Sequence, residues 1–365
     1  MQPKNSVVHL PVYQPGKSVD EVKRELGLDR IIKLASNENP FGSSKQAKQA
    51  ILQEVNNMSI YPDGAAQALT DAVAAHLDVE RKQLIFGAGS DEIILMICRA
   101  YLVPGDEIVI ADQTFPQYKH NAEIEGAVTI EVPLKDGAHD LDAMLAAVND
   151  RTKIVWICNP NNPTGTIVSA DELDQFIARI PAHVMVVLDE AYCEYVTDPN
   201  FRDALELVRR YSNVVSLRTF SKIYGLASLR IGYGIGHPDV IHTINQVREP
   251  FNTTRFAQAA ALAAVQDQAF IEDCRQKNAA GIQYVQQQFA RMNLDSFPAH
   301  GNFIMVDVGF SAIEVFNALL RRGIITRAGH SKYPQHIRIT IGSQEENEAM
   351  VQALEEALEE VKVTK

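Results

Sequence analysis

The 365 residues exceed one average domain and point to a single large α/β unit or to two domains. Hydrophobic residues at 46% and charged residues at 22% exclude a largely disordered chain. A formal net charge of −12 runs against a nucleic-acid binder, and the apolar runs, about six residues at most, fall far short of the ~20 that a membrane-spanning helix needs.

Residues 1–45 hold Pro3, Pro11, Pro15 and Pro40 and read mostly as an extended arm that contributes to a small domain. No signal peptide is visible after Met1, so a cytoplasmic protein is expected. Residues 46–245 read as a large domain. Strands are predicted at 84–86, 107–111, 128–132, 154–157, 184–188 and 214–217, with helical patterns between them. That alternation predicts parallel strands joined by crossover helices. Several runs lack polar alternation, as strands covered on both faces do. Ser90 is placed to cap one helix, and Ser169-Ala-Asp-Glu172 has the spacing of a capping box. Residues 246–365 change character. Helices are predicted near 255–265, 268–293 and 311–321, with strands at 302–307, 324–326 and 337–340. A last helix opens at Ser343 and buries Met350, Leu354, Leu358 and Val361. This reads as linking helices and a smaller α+β domain.

Four motifs carry chemistry. The first is Thr219-Phe-Ser-Lys222-Ile-Tyr-Gly225, with Arg230 eight residues past the lysine. A lysine just beyond a buried strand sits where open α/β sheets place ligands. With a cation nearby and little water it becomes a nucleophilic amine. The second is Asn159-Pro-Asn-Asn162-Pro-Thr-Gly165, a rigid turn from which the Asn162 amide projects. The third is Val184-Met-Val-Val-Leu188-Asp189-Glu190-Ala-Tyr192. Asp189 ends an apolar strand, so it needs a cation, a metal or a set of donors. Tyr192 is near enough in sequence to share its pocket. The fourth is Phe86-Gly87-Ala-Gly89-Ser90-Asp91-Glu92, glycines between a strand and a helix. Free amides and the helix dipole make such a turn a phosphate cup. Glu92 stands where a dinucleotide fingerprint has glycine, so a single phosphate suits it better.

A lysine amine, a phosphate cup, a buried aspartate and a fixed asparagine together describe the needs of pyridoxal phosphate. The chain resembles the fold-type I pyridoxal-phosphate aminotransferases, and among them the histidinol-phosphate aminotransferases. The resemblance runs from Leu34-Ala-Ser-Asn37-Glu-Asn39-Pro-Phe-Gly42 through Tyr61-Pro-Asp to His336-Ile-Arg338-Ile-Thr-Ile-Gly342. It implies an α/β fold, with a mostly parallel seven-stranded sheet between helices in the large domain. It implies that Lys222 bonds the cofactor aldehyde and shuttles the proton, that Asp189 pairs the ring nitrogen, and that Asn162 and Tyr192 hold the 3′ oxygen. Ser90, Asp91, Ser221 and Arg230 would hold the phosphate. Phe115 would stack on the ring, at a position where many relatives have tyrosine. Tyr61 resembles the residue that reaches the neighbouring subunit's cofactor, which implies a homodimer with shared sites. On the substrate side the resemblance implies Arg338, Arg327, Tyr13 and Asn37. The reaction implied is transamination between L-glutamate and imidazole-acetol phosphate in histidine biosynthesis. An aromatic amino-acid aminotransferase, or a decarboxylase or lyase on the same scaffold, would share the Lys–Asp–Asn set. A cofactor-binding regulator would add a basic DNA-binding segment, and none is visible.

The 10 histidines show no metal-binding spacing and read as surface or loop residues. No metal is expected. The four cysteines (Cys98, Cys158, Cys193 and Cys274) have no C-x-x-C pair, which argues against a disulfide framework or zinc knuckle. Trp156 reads as core, Glu355, Glu356, Glu359 and Glu360 as a solvated helix face, and Gly232-Tyr-Gly-Ile-Gly236 as a strand packed closely behind the lysine.

Overall fold

The computed structural model describes all residues except 13–15, 364 and 365. The chain opens with α1 (Val19–Leu26), β1 (Ile32–Lys33), α2 (Lys45–Glu54) and α3 (Gln67–Leu77). There follow β2 (Leu84–Gly87), α4 (Ser90–Tyr101), β3 (Glu107–Ala111), α5 (Gln117–Ile124), β4 (Val128–Val132) and α6 (Leu141–Ala147). Next come β5 (Thr152–Cys158), α7 (Ala170–Arg179), β6 (Met185–Asp189), α8 (Leu205–Arg210), β7 (Val214–Thr219), β8 (Gly232–Gly236) and α9 (Pro238–Asn245). The C-terminal part holds α10 (Arg255–Gln266), α11 (Gln268–Arg291), β9 (Phe303–Asp307), α12 (Ala312–Arg321), β10 (Ile324–Ile325), β11 (His336–Thr340) and α13 (Gln344–Val363).

Seven strands form one sheet in the order β2-β8-β7-β6-β5-β3-β4. β3 to β7 run parallel, and β8 lies antiparallel to both β7 and β2. Alternation sends successive side chains to opposite faces, and both faces are buried except along the edge strand β4. Val155 and Ile157 of β5 pack with Val73, Phe176 and Ala260 from α3, α7 and α10. Ile154 and Trp156 pack with Ile97, Tyr118 and Ile244 from α4, α5 and α9. Each such buried aliphatic or aromatic side chain stabilises the fold by about 1.5–3 kcal/mol. This double covering is why the strands read as unbroken apolar runs.

A second core gathers β9, β11, α12, α13, the end of α11, and Ile32 and Leu34 from the start of the chain. β1 pairs in parallel with β10, and Thr340 N–H donates to the Leu34 carbonyl at 2.9 Å. The first 45 residues are not all extended, because α1 is a regular helix with a capping box between Ser18 and Glu21 and a left-handed Gly27 at its end. The acidic face of α13 is not wholly solvated either, since Glu356 and Glu360 pair with Arg322. α10 and the start of α11 pack on the first core through Ala257, Ala261, Ala264 and Ile271. Among the described residues no helix is long and apolar enough to cross a membrane.

Candidate active site

A cavity of about 590 Å³ lies between the carboxyl ends of β5, β6 and β7 and the residues around β10 and β11. Open α/β sheets bind ligands at this edge. Lys222, Asp189, Tyr192, Asn162, Ser90, Asp91, Phe115, Ser221, Arg230, Asn37, Arg327 and Arg338 all line it.

Lys222 stands in a tight turn after β7. Ser221 N–H donates to Thr219 Oγ1, and Gly225 N–H donates to the Lys222 carbonyl. Gly225 has φ of 69°, and a Cβ there would lie 1.8 Å from the Gly42 carbonyl oxygen, so only glycine lets the 39–42 segment close on the turn. Asn39 Nδ2 fastens that segment to the Ile223 carbonyl at 2.7 Å. Lys222 Nζ donates to the Ser36 carbonyl at 3.1 Å and sits 5.6 Å from the Tyr192 ring centroid. Burial, then the Arg338 and Arg230 guanidiniums, push its pKa down to about 8 against the opposing pull of Asp91 and Glu38. A much larger share of the amine is therefore neutral near pH 8 than for an ordinary lysine.

The anion cup forms where α4 begins. Gly89, at φ of 81°, is the cap, and no side chain caps the helix. Ser90 is the first helical residue rather than the cap, which leaves its hydroxyl to the cavity. Glu92 instead reaches back to accept from Ala88 N–H at 2.6 Å and also holds Asn252 Nδ2 at 2.7 Å. A Cβ at Gly232 would lie 2.5 Å from Ser90 N, so β8 packs close behind the cup rather than behind the lysine alone. Arg230, at φ of 53°, donates to Ser221 Oγ at 3.3 Å and pairs with Asp91 at 3.2 Å. First-turn amides, two hydroxyls and a guanidinium make an anion site of single-phosphate size.

Asp189 and Glu190 are adjacent acids with different fates. Glu190 turns inward to buried Arg218 at 3.1 Å, to Ser216 Oγ and to Ala204 N–H. Asp189 is 3% exposed and accepts only neutral donors, the Tyr118 hydroxyl at 2.6 Å and Ala191 N–H at 3.2 Å. Among the described residues no cation stands against it, and burial pushes its pKa up to about 6. A buried carboxylate without a counter-charge, facing a cavity, fits a protonated ring nitrogen.

Asn162 is held by its loop. Asn159 bonds both ways with Val168, and Asn161 bonds Thr114, Gln113 and Thr164. Asn162 Nδ2 donates to the Tyr192 hydroxyl at 3.4 Å, and its Oδ1 accepts from Arg338 Nη1 at 2.5 Å. Asn37 Nδ2 donates to the same hydroxyl at 3.1 Å, while Asn37 also bonds Thr340. Arg338 donates to the Ala35 carbonyl and lies over the Phe303 ring. Arg327 is its backbone partner across an isolated bridge, so both guanidiniums belong to one wall.

Tyr61 does not join this cluster within its own chain. It is 75% exposed and stacks on Phe251 at 4.7 Å. Tyr13 lies outside the described residues. Two residues went unassigned in the sequence. Tyr118 sits behind Asp189, and its only sequence signal is its place three residues past Phe115. His330 lines the cavity near Arg327 and Arg338, whose charges add to burial in lowering its pKa to about 3. His139 is buried, 3.1 Å from the Cys158 carbonyl, and is not a surface residue.

The family described as aminotransferase class I and II matches residues 29–354. A histidinol-phosphate aminotransferase of Geobacillus sp. (strain WCH70) is 52% identical over 361 residues, covering 99% of both chains. The chain belongs to the class I and II aminotransferases, and within them to the histidinol-phosphate aminotransferase family. The same-named protein of Bacillus subtilis (strain 168) is 50% identical, over 98% of this chain and 100% of its own. A solved histidinol-phosphate aminotransferase from Sinorhizobium meliloti, in complex with pyridoxal-5′-phosphate, superimposes with a TM-score of 0.92 at 29% identity, over 99% of this chain and 98% of that one. An aminotransferase of this family thus has the α/β architecture that its strand pattern implies.

Proposed function

We infer that this aminotransferase uses pyridoxal phosphate to move the amino group of L-glutamate to imidazole-acetol phosphate. The products are 2-oxoglutarate and L-histidinol phosphate, in a step of histidine biosynthesis. The observation that carries the reading is one cavity holding Lys222, the anion cup and Asp189 on one side and two arginines on the other. Half-identical relatives of full length, all named histidinol-phosphate aminotransferases, support the substrate.

The cofactor, when bound, supplies an aldehyde for the amino group and a ring that accepts electrons from the carbon losing its proton. The residues do the rest. Ser90, Ser221 and Arg230 hold the phosphate, with Asp91 orienting the guanidinium. Asp189 keeps the ring nitrogen cationic. Asn162 and Tyr192 hold the 3′ oxygen, and Phe115 covers a ring face. Lys222 Nζ is the base that moves the proton at the substrate Cα. Arg338 takes the carboxylate of glutamate in one half-reaction, and with Arg327 it takes the phosphate of the other substrate. Asn37 orients Tyr192 beside them. Local guanidiniums must do this holding, because a net charge of −12 draws no anion from afar and distant charge is screened.

The test is amino transfer from glutamate with the product weighed by mass spectrometry. Imidazole-acetol phosphate should be a far better acceptor than phenylpyruvate. Preference for phenylpyruvate would give the aromatic aminotransferase reading instead, and loss of CO₂ without transfer would give a decarboxylase.

We also assign the protein to the cytoplasm, in keeping with four buried, unpaired cysteines, and to a homodimer. Leu52, Val55, Met58, Ile60 and Tyr61 are exposed along one segment, joined by Phe251. A patch of that kind marks an interface. Light scattering should give twice the 40.4 kDa chain mass; a monomer at micromolar concentration would remove Tyr61 from the site. The chain divides, in this reading, into an arm at 1–45, a cofactor-binding domain at 46–245 and a linking and small domain at 246–365.

A further inference from the structure

Tyr118 is fully buried on α5 and is the only side chain hydrogen-bonded to Asp189 among the described residues. Its ring lies nearly parallel to Trp156, 4.8 Å between centroids and 9° between planes, and meets Phe115 edge-on at 5.6 Å. With the ring fixed on two sides, the hydroxyl is set against the Asp189 carboxylate, with the Cys158 thiol beside it. It donates to Oδ2, while Ala191 N–H donates to Oδ1. Among the described residues, Asp91 from α4, Glu190 beside it, Cys158 on β5 and the Tyr192 phenol face this carboxylate, and none of these four carries a positive charge. Burial and the two acids favour the protonated carboxyl, and the Tyr118 hydroxyl is the main force against them.

We propose that Tyr118 is a positioning residue, whose hydroxyl holds the Asp189 carboxylate ionised and oriented to receive the cationic ring nitrogen of pyridoxal phosphate. The inference rests on the cofactor site proposed above and adds a residue that acts through Asp189. Trp156 and Phe115 have a share in it, since they fix the ring that carries the hydroxyl.

The experiment titrates full-length chain, stripped of cofactor, with pyridoxal phosphate from pH 5.5 to 8.5. Tyr118→Phe keeps the stacked ring and removes only the hydroxyl. Its affinity should be about tenfold weaker near pH 6.5, with the gap closing as pH rises, because the midpoint at which affinity is lost moves up by about one pH unit. The cofactor and Lys222 titrate alike in both proteins, so the difference between them reports Asp189. In an Asp189→Asn background the same substitution should change affinity by less than about twofold, as for two residues acting as one unit. A gap constant across pH would mean a packing role and would overturn the proposal. So would a double variant in which Tyr118→Phe still causes its full loss after Asp189→Asn has removed the carboxylate. Unmodified protein that binds no pyridoxal phosphate at any pH would overturn the cofactor reading first, and this inference with it.

Discussion

Lys222→Ala is expected to cost more activity than any other single substitution. Lost proton transfer alone accounts for roughly 10²–10⁴-fold in rate. The amine proposed to bond the aldehyde is lost as well, so the decline in kcat should exceed that range. The fold should survive, because Lys222 Nζ contributes one hydrogen bond, to the Ser36 carbonyl. The cup and Asp189 remain, so the variant should still take up the cofactor. Transfer from glutamate, followed by product mass, checks the first point, and absorbance of the bound cofactor checks the second. Near-normal transamination by the alanine variant would refute the assignment. In the unmodified protein, covalent uptake of the cofactor should slow as pH falls below about 8, since the cofactor-free amine becomes protonated there.

Asp189→Asn should move stability and cofactor affinity in opposite directions. The Asp189 carboxyl titrates at about 6 in the folded, cofactor-free chain against an ordinary value of 3.8. The unfolded chain therefore favours the ionised form, and burying that form costs stability. The cost is full above pH 6, fades from there towards pH 3.8, and is absent below. It is on the order of 3 kcal/mol at pH 7. Cofactor-free Asp189→Asn should accordingly melt at a higher temperature than the unmodified chain at about pH 7.5, with little difference near pH 4. Its affinity for pyridoxal phosphate should fall by roughly 10²-fold or more, since a buried cation left without its partner costs about 3–5 kcal/mol. Melting curves with and without cofactor read both effects. A variant that is less stable at about pH 7.5 without cofactor, or that binds cofactor undiminished, would contradict this account of Asp189.

The strands of the main sheet were legible because burial on both faces leaves unbroken apolar runs such as Val184 to Leu188. That Lys222, Asn162, Asp189 and Ser90 share one cavity was legible because each sits in a short local motif at a strand end. Contacts between distant segments were not. The Tyr118–Asp189 bond spans 71 residues, and no local pattern carries it. His330 lies in a connection with no periodicity, and its place near Arg327 and Arg338 follows from the fold alone. The α1 helix was missed although Ser18-Val-Asp-Glu21 has the spacing of a capping box, because four prolines drew the reading towards an extended arm. Ser90 was read as a cap because serine so often is one; the glycine before it takes that position and frees the hydroxyl.

The pairing of β1 with β10, and the bond from Asn37 N–H to Thr340 Oγ1 across 303 residues, set an order of events on the ribosome. The nascent chain emits its first strand long before the partner of that strand exists. Synthesis up to β8 delivers Lys222, Asp189 and the serine-lined anion seat, yet Asn37 has nowhere to settle and Arg338 has not been made. A translation product that stops short of β11 would thus own the parts proposed to grip a vitamin but not the wall proposed to recognise what the vitamin acts upon. Assembly of the second wall waits for nearly the last residues to leave the exit tunnel, and such long-range closure is the slow part of folding.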